Sequence, residues 1–177
     1  SESGQPFSRE IISQYVRHIV ENSSIDRSFR LVIDAGNSVA GPVALKLFDS
    51  LGCVAFPINC DVDGSFPNHE PNPADEENLK QLISKVKEVK ADLGLAFDGD
   101  GDRVLFIDDK GDLVDGDELL FIIAQHRHEF QGGCNGVAGT QMSNLGLELA
   151  LADMNIPFVR TKVGDRYVVE AMKEHNW

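Results

Sequence analysis

The chain has 177 residues, 42% of them hydrophobic, which is enough for one large domain or one and a half smaller ones. Its formal net charge of −13, from 29 acidic and 16 basic residues, argues against nucleic acid and anionic membranes as partners, because both attract positive surfaces. No apolar run approaches the roughly 20 residues of a membrane span, and three cysteines without a CxxC pair indicate free thiols in the reducing cytoplasm.

The first part of the sequence predicts a helix followed by a βαβ unit. Apolar residues at helical spacing predict a helix over residues 7–22, with Ser8 as its N-cap. Short apolar runs predict strands at residues 30–34 and 53–58, and Pro42 is expected at the first position of the helix between them. Since these runs are apolar throughout, we expect two parallel strands that are buried on both faces.

The alternation continues beyond this unit. Residues 60–75 contain three prolines and predict a loop, within which His69 is expected to pack or bond between domains. Residues 76–90 form an amphipathic pattern typical of a helix. Further strands are predicted at residues 91–97 and 104–107, and a turn then leads into Leu113 and Val114.

A second unit is expected to follow. Asp115 opens an acidic cap for a helix that runs to residue 130, and a strand, helix, strand and helix are predicted before Trp177. The chain therefore predicts a three-layer α/β/α domain at residues 1–112, with a mixed, mostly parallel sheet. A partial domain of the same kind is expected at residues 113–177, and because the pattern stops on a helix we expect it to be truncated.

The segment from Asp98 to Arg103, with the sequence DGDGDR, directly follows the third predicted strand. Its glycines allow the backbone to fold round an ion, and alternating carboxylates are hard oxygen ligands that select Mg²⁺ or Ca²⁺ over zinc. In open α/β sheets, ligands bind beyond the carboxyl ends of strands. Arg103 beside such a site indicates a bridging anion, such as a phosphate. The sequence predicts a divalent-metal loop, with Asp98, Asp100 and Asp102 as ligands, in a domain that works on phosphorylated substrates.

Two alternatives remain open for this loop. An EF-hand needs Gly at position 6 and Glu at position 12, where counting from Asp98 gives Arg103 and Asp109. The other alternative is a solvated acidic turn that binds no ion.

Several segments resemble the α-D-phosphohexomutases. GLAFDGDGDRV resembles the metal loop of that family, and VIDAGNSVAGPVA resembles the opening of its second domain. FPNHEPNP and the long stretch from ENLKQ through the metal loop resemble the phosphomannomutase/phosphoglucomutase branch. GTQMSNLGLELAL and KVGDRYVVEAM are closer to the phosphoglucosamine mutase branch.

The resemblance implies a Mg²⁺-dependent mutase that interconverts hexose 1-phosphates and hexose 6-phosphates through a phosphoserine and a bisphosphorylated sugar. The three aspartates match its metal ligands, and Arg103 matches the catalytic arginine beside the reacting phosphoryl group. Four residues match the third-domain loop that contacts the sugar: Lys162, Gly164, Asp165 and Arg166. For Asp165, which other branches replace with histidine, a role as helix N-cap is the alternative.

The family's Ser-His-Asn-Pro serine loop and Gly-Glu-x-Ser-Gly-His sugar loop do not occur in this sequence. The resemblance therefore covers domain 2 and part of domain 3, and we expect no turnover without the phosphoserine and C-terminal domains. The longest match favours phosphomannomutase/phosphoglucomutase. The alternatives are a phosphoglucosamine mutase, a non-catalytic divalent-metal-binding module, and a regulatory or partner-binding remnant.

Overall fold

The computed structural model describes residues 9–177, so the predicted N-cap at Ser8 lies outside the described residues. The chain divides into two compact units between Leu113 and Val114. The first unit contains α1 (Ile12–Glu21), β1 (Arg30–Asp34), α2 (Ala40–Ser50), β2 (Val54–Ile58), α3 (Glu76–Val89), β3 (Leu93–Phe97) and β4 (Val104–Ile107), and β5 (Leu113–Val114) lies at the boundary. The second unit contains α4 (Gly116–Phe130), β6 (Val137–Thr140), α5 (Leu145–Asp153), β7 (Phe158–Thr161) and α6 (Asp165–Glu174).

The first unit is a three-layer structure around a five-stranded sheet of order β2-β1-β3-β4-β5. β1 is parallel to β2 and β3, whereas β4 is antiparallel to β3. Successive side chains of a strand point to opposite faces. Leu31 and Ile33 accordingly pack with Ala44 of α2 on one face, while Val32 packs with Leu82 of α3 on the other. This mixed, mostly parallel α/β architecture confirms the predicted fold class.

The second unit is smaller and is built on a parallel pair of strands, β6 and β7. Its core joins Ala124 of α4 to Val137 of β6 and to Leu147 and Leu151 of α5. Asp115 caps α4, as its acidic start predicted, and forms a reciprocal capping box with Glu118. Within residues 9–177, no helix is long and apolar enough to cross a membrane.

Two local expectations were wrong. β2 lies at the edge of the sheet, where Val54 is 47% exposed, so only β1 of the first parallel pair is a buried strand. The helix after β1 begins at Ala40, which makes Pro42 its third residue instead of its first. Proline is tolerated there because the first four N–H groups of a helix have no intrahelical partner.

A close approach between α2 and the loop after β2 makes Gly41 sensitive to substitution. A Cβ at this position would lie 2.9 Å from the Cα of Cys60 and closer still to its carbonyl oxygen. We expect Gly41→Ala to lower the free energy of unfolding by about 1–3 kcal/mol, as overpacking does. Urea unfolding followed by circular dichroism measures this change. In Gly64→Ala, the control, the new Cβ meets no atom within 4 Å, so equal losses in the two variants would contradict the prediction.

Candidate metal centre

The Asp-rich loop connects β3 to the antiparallel β4 and begins at the carboxyl end of β3. The amide of Asp98 donates to the carbonyl oxygen of Arg103 at 3.3 Å, and the amide of Gly101 donates to that of Asp98 at 3.3 Å. Gly101 has a φ of +74°, a conformation that glycine adopts without steric cost. The segment is a tight hairpin loop that leads into a strand, which excludes the helix–loop–helix geometry of an EF-hand.

The three predicted ligands meet within this loop. One carboxylate oxygen from each of Asp98, Asp100 and Asp102 lies within 4.8 Å of the other two. Asp98 is completely buried, whereas Asp100 and Asp102 are exposed. An entirely solvated acidic turn would not bury a carboxylate, because removing a charge from water is costly unless partners compensate. The loop thus presents two exposed carboxylates beside a buried one.

Arg103 supplies the partners of the buried carboxylate. Its backbone amide donates to Oδ1 of Asp98 at 3.1 Å, and its Nε donates to Oδ2 at 2.7 Å. The same Nε lies 3.6 Å from Oδ1 of Asp102. Among the described residues, the two terminal guanidinium nitrogens make no hydrogen bond, and the side chain is 64% exposed. The guanidinium of Arg103 is therefore held through its Nε, and its two terminal nitrogens can donate to a ligand.

The electrostatics of the loop show more negative charge than one arginine compensates. Burial raises the pKa of Asp98, but the hydrogen bonds from the backbone and side chain of Arg103 and the interaction with Asp102 lower it overall. The pKa of Asp102 lies above its ordinary value, first because of its side-chain interaction with Asp98 and then because of the charge of Asp100. A divalent cation would relieve this repulsion, and an all-carboxylate donor set fits Mg²⁺ or Ca²⁺.

The residues predicted to bind the sugar lie in the second unit, in the loop after β7 and in the first turn of α6. All four are exposed: Lys162, Gly164, Asp165 and Arg166. The N-cap of α6 is Gly164, with a φ of +130° and no side-chain cap, and Asp165 is the first helical residue. The alternative role of Asp165 as an N-cap is therefore wrong.

A contact between His69 and the buried Asp34 in the first unit was not predicted. Nε2 of His69 lies 3.1 Å from Oδ2 of Asp34, and both residues belong to the first unit, whereas His69 was expected to bond between domains. The one sequence signal for this pair is the acidic residue that ends the buried strand β1. Such a residue needs a partner, but the sequence does not indicate which one.

Comparison with known proteins gives a consistent result over both units. Residues 13–111 match the family described as phosphoglucomutase/phosphomannomutase, alpha/beta/alpha domain II, and residues 115–177 match alpha/beta/alpha domain III of the same family. The phosphoglucosamine mutase of Cellvibrio japonicus is 50% identical over 151 residues, which are 85% of this chain and 33% of that protein. The phosphoglucosamine mutase of Teredinibacter turnerae is also 50% identical, over 83% of this chain and 32% of that protein.

A solved structure also resembles the chain. The phosphoglucomutase/phosphomannomutase family protein of Burkholderia thailandensis superposes with a TM-score of 0.87 at 34% identity, over 94% of this chain and 36% of that chain. The present chain spans about a third of the length of the curated relatives that it matches.

The convergence of the three carboxylates predicts that each contributes to cation binding. In calorimetric titration with MgCl₂, we expect Asp100→Asn to weaken Mg²⁺ binding at least about tenfold, or about 1.4 kcal/mol, because it replaces a charged ligand with a neutral one. Asp109→Asn removes an exposed carboxylate from the neighbouring turn and serves as the control. The prediction fails if the two variants bind Mg²⁺ equally well.

Proposed function

Because the chain belongs to the phosphoglucomutase/phosphomannomutase family, we propose that it is the metal-loop portion of a phosphohexomutase. Its metal ligands are Asp98, Asp100 and Asp102, and Arg103 is its catalytic residue. The observation that carries this proposal is the hairpin in which three carboxylates converge beside a guanidinium with free donors. The complete enzyme transfers a phosphoryl group through a phosphoserine and a bisphosphorylated sugar.

The geometry suits phosphoryl transfer, in which an enzyme chiefly positions the reacting groups and neutralises their charge. Bound Mg²⁺ would supply a Lewis acid for the phosphoryl oxygens. Arg103 donates its terminal N–H groups to the same phosphoryl group, since its Nε is already occupied by Asp98. The buried Asp98 carboxylate fixes the direction of the guanidinium plane, and the side chain is thus oriented before the substrate arrives.

In the second unit, the loop after β7 contributes the sugar-phosphate contacts in this proposal. Lys162 in the loop after β7 and Arg166 in the first turn of α6 place two exposed cations beyond the carboxyl end of a parallel strand. That end of a strand is where open α/β sheets bind ligands. Arg166 donates from Nε to Glu170 at 2.9 Å, which orients the guanidinium and leaves its terminal nitrogens for a phosphate.

We propose glucosamine phosphate as the sugar. The metal-loop stretch favoured phosphomannomutase/phosphoglucomutase, but two relatives at 50% identity are named phosphoglucosamine mutase. Phosphomannomutase/phosphoglucomutase activity is the second candidate, and the 34% identical structure with that family name supports it. Turnover would require the phosphoserine and C-terminal domains of the same enzyme.

The free thiols of Cys53, Cys60 and Cys134 support a cytoplasmic location.

A domain exchange tests this proposal. Residues 13–177 would replace the matching third of the Cellvibrio japonicus phosphoglucosamine mutase, and the interconversion of glucosamine 6-phosphate and glucosamine 1-phosphate would be followed by ³¹P NMR. We expect the chimera to be active and Arg103→Ala to lower kcat by at least about 100-fold, the scale of a lost transition-state donor. Arg17→Ala, which changes an exposed arginine of α1, should retain full activity.

Three outcomes are informative in the same assay. A folded chimera without activity, or an Arg103→Ala variant as active as its parent, would contradict the proposed role. Faster turnover of mannose or glucose phosphates than of glucosamine phosphates would favour the second candidate.

A further inference from the structure

The strongest unexplained feature of the first unit is the environment of Asp34, the last residue of β1. This side chain is almost completely buried. It accepts hydrogen bonds from the amide of Gly36 at 3.0 Å and from Nδ2 of Asn59 at 3.2 Å, and it lies 3.1 Å from Nε2 of His69. His69 therefore brings a ring nitrogen from the proline-rich loop to a carboxylate that is almost completely buried and needs hydrogen-bond partners.

His69 is held from both sides of its ring. While Nε2 faces Asp34, Nδ1 lies 2.8 Å from the carbonyl oxygen of Glu70. The preceding residue is also fixed, because Nδ2 of Asn68 donates to Oδ1 of Asn37 at 2.7 Å. Two consecutive residues thus attach the proline-rich loop to the carboxyl end of β1.

The proline-rich loop then passes close to the metal loop. In space, Pro71 lies close to two glycines from other loops. A Cβ on Gly36 would be 3.0 Å from the Cα of Pro71, and a Cβ on Gly99 would be 3.4 Å from the Cγ of Pro71. Beyond Pro71, the loop borders a surface cleft that Pro73 and Ala74 share with Asp102 and Arg103. The segment from Pro71 to Ala74 therefore lies beside Gly99 at its start and across this cleft from Asp102 and Arg103 at its end.

We propose that His69 is a positioning residue for the metal loop. Its contact with Asp34 holds Pro71 and the following residues against the hairpin, and this support restricts a loop that two glycines would otherwise leave flexible. The support comes from outside the loop, in addition to the contact between Asp98 and Arg103 within it. The consequence for cation binding rests on the proposed function of the loop, whereas the mechanical support does not.

Amide hydrogen exchange of the metal-free protein tests this support directly. In His69→Ala we expect exchange at Gly101 and Arg103, whose amides donate to Asp98, to accelerate at least about tenfold through local opening, while the β1 amides stay protected. His69→Gln keeps one N–H donor for Asp34 and should restore part of the protection. His18→Ala, which removes an exposed histidine of α1, should change neither region.

Unchanged exchange in the metal loop of His69→Ala would overturn the inference. Equal acceleration in the loop and in β1 would do the same, because it indicates general destabilisation. Pro71→Gly provides a second test if His69→Ala does not fold, since it removes the ring beside Gly99 and leaves the contact of His69 with Asp34 in place. Acceleration confined to the loop supports the inference, and wild-type protection overturns it.

Calorimetry separates this inference from the proposed function. If wild-type protein binds Mg²⁺, His69→Ala should bind it more weakly and His69→Gln should recover part of the loss. If wild-type protein binds no Mg²⁺, the proposed metal site fails, while the exchange experiment still decides whether His69 supports the loop.

Discussion

A fully buried carboxylate at the end of a central strand is the constraint on which the metal loop depends. Asp98 is stable there because Arg103 compensates its charge with a backbone N–H and a side-chain Nε. Both donors come from a residue five positions later, so the pair closes the hairpin and sets its conformation. Asp100 and Asp102, which are left outside this pair, then face solvent together.

A buried aspartate that contacts a loop side chain occurs at two neighbouring strand ends in the centre of the sheet. β1 and β3 are adjacent and parallel, and each leads to a buried aspartate: Asp34 as the last residue of β1, and Asp98 directly after β3. Each aspartate contacts a nitrogen of a loop side chain, His69 or Arg103. The two loops also lie against each other through Pro71 and Gly99. At these two strand ends, each buried carboxylate therefore has a hydrogen-bond partner from a loop.

Local patterns were sufficient to predict most of the fold. The cap of α4 and the amphipathic face of α3 depend on residues close together in sequence, and so does the convergence of the three aspartates. The errors arise where a distant partner decides the outcome. The exposure of β2 follows from strand order, which apolar runs do not specify, and the pairing of His69 with Asp34 joins residues 35 positions apart. The alternative role of Asp165 as the N-cap of α6 was wrong for another reason. Gly164, with its positive φ, is the N-cap of this helix.

The strong negative charge of the chain is compatible with a phosphate ligand because electrostatics in salt solution are local. At physiological ionic strength the Debye length is about 8 Å, so carboxylates distributed over the surface contribute little at the hairpin. In the proposed site, the balance near a phosphoryl group would be set by Arg103, by a cation on the three aspartates and by those aspartates themselves. A bound divalent cation would offset much of their charge and leave the guanidinium to determine the sign of the field. A net charge of −13 therefore argues against extended polyanions as partners and is compatible with a single phosphate at this loop.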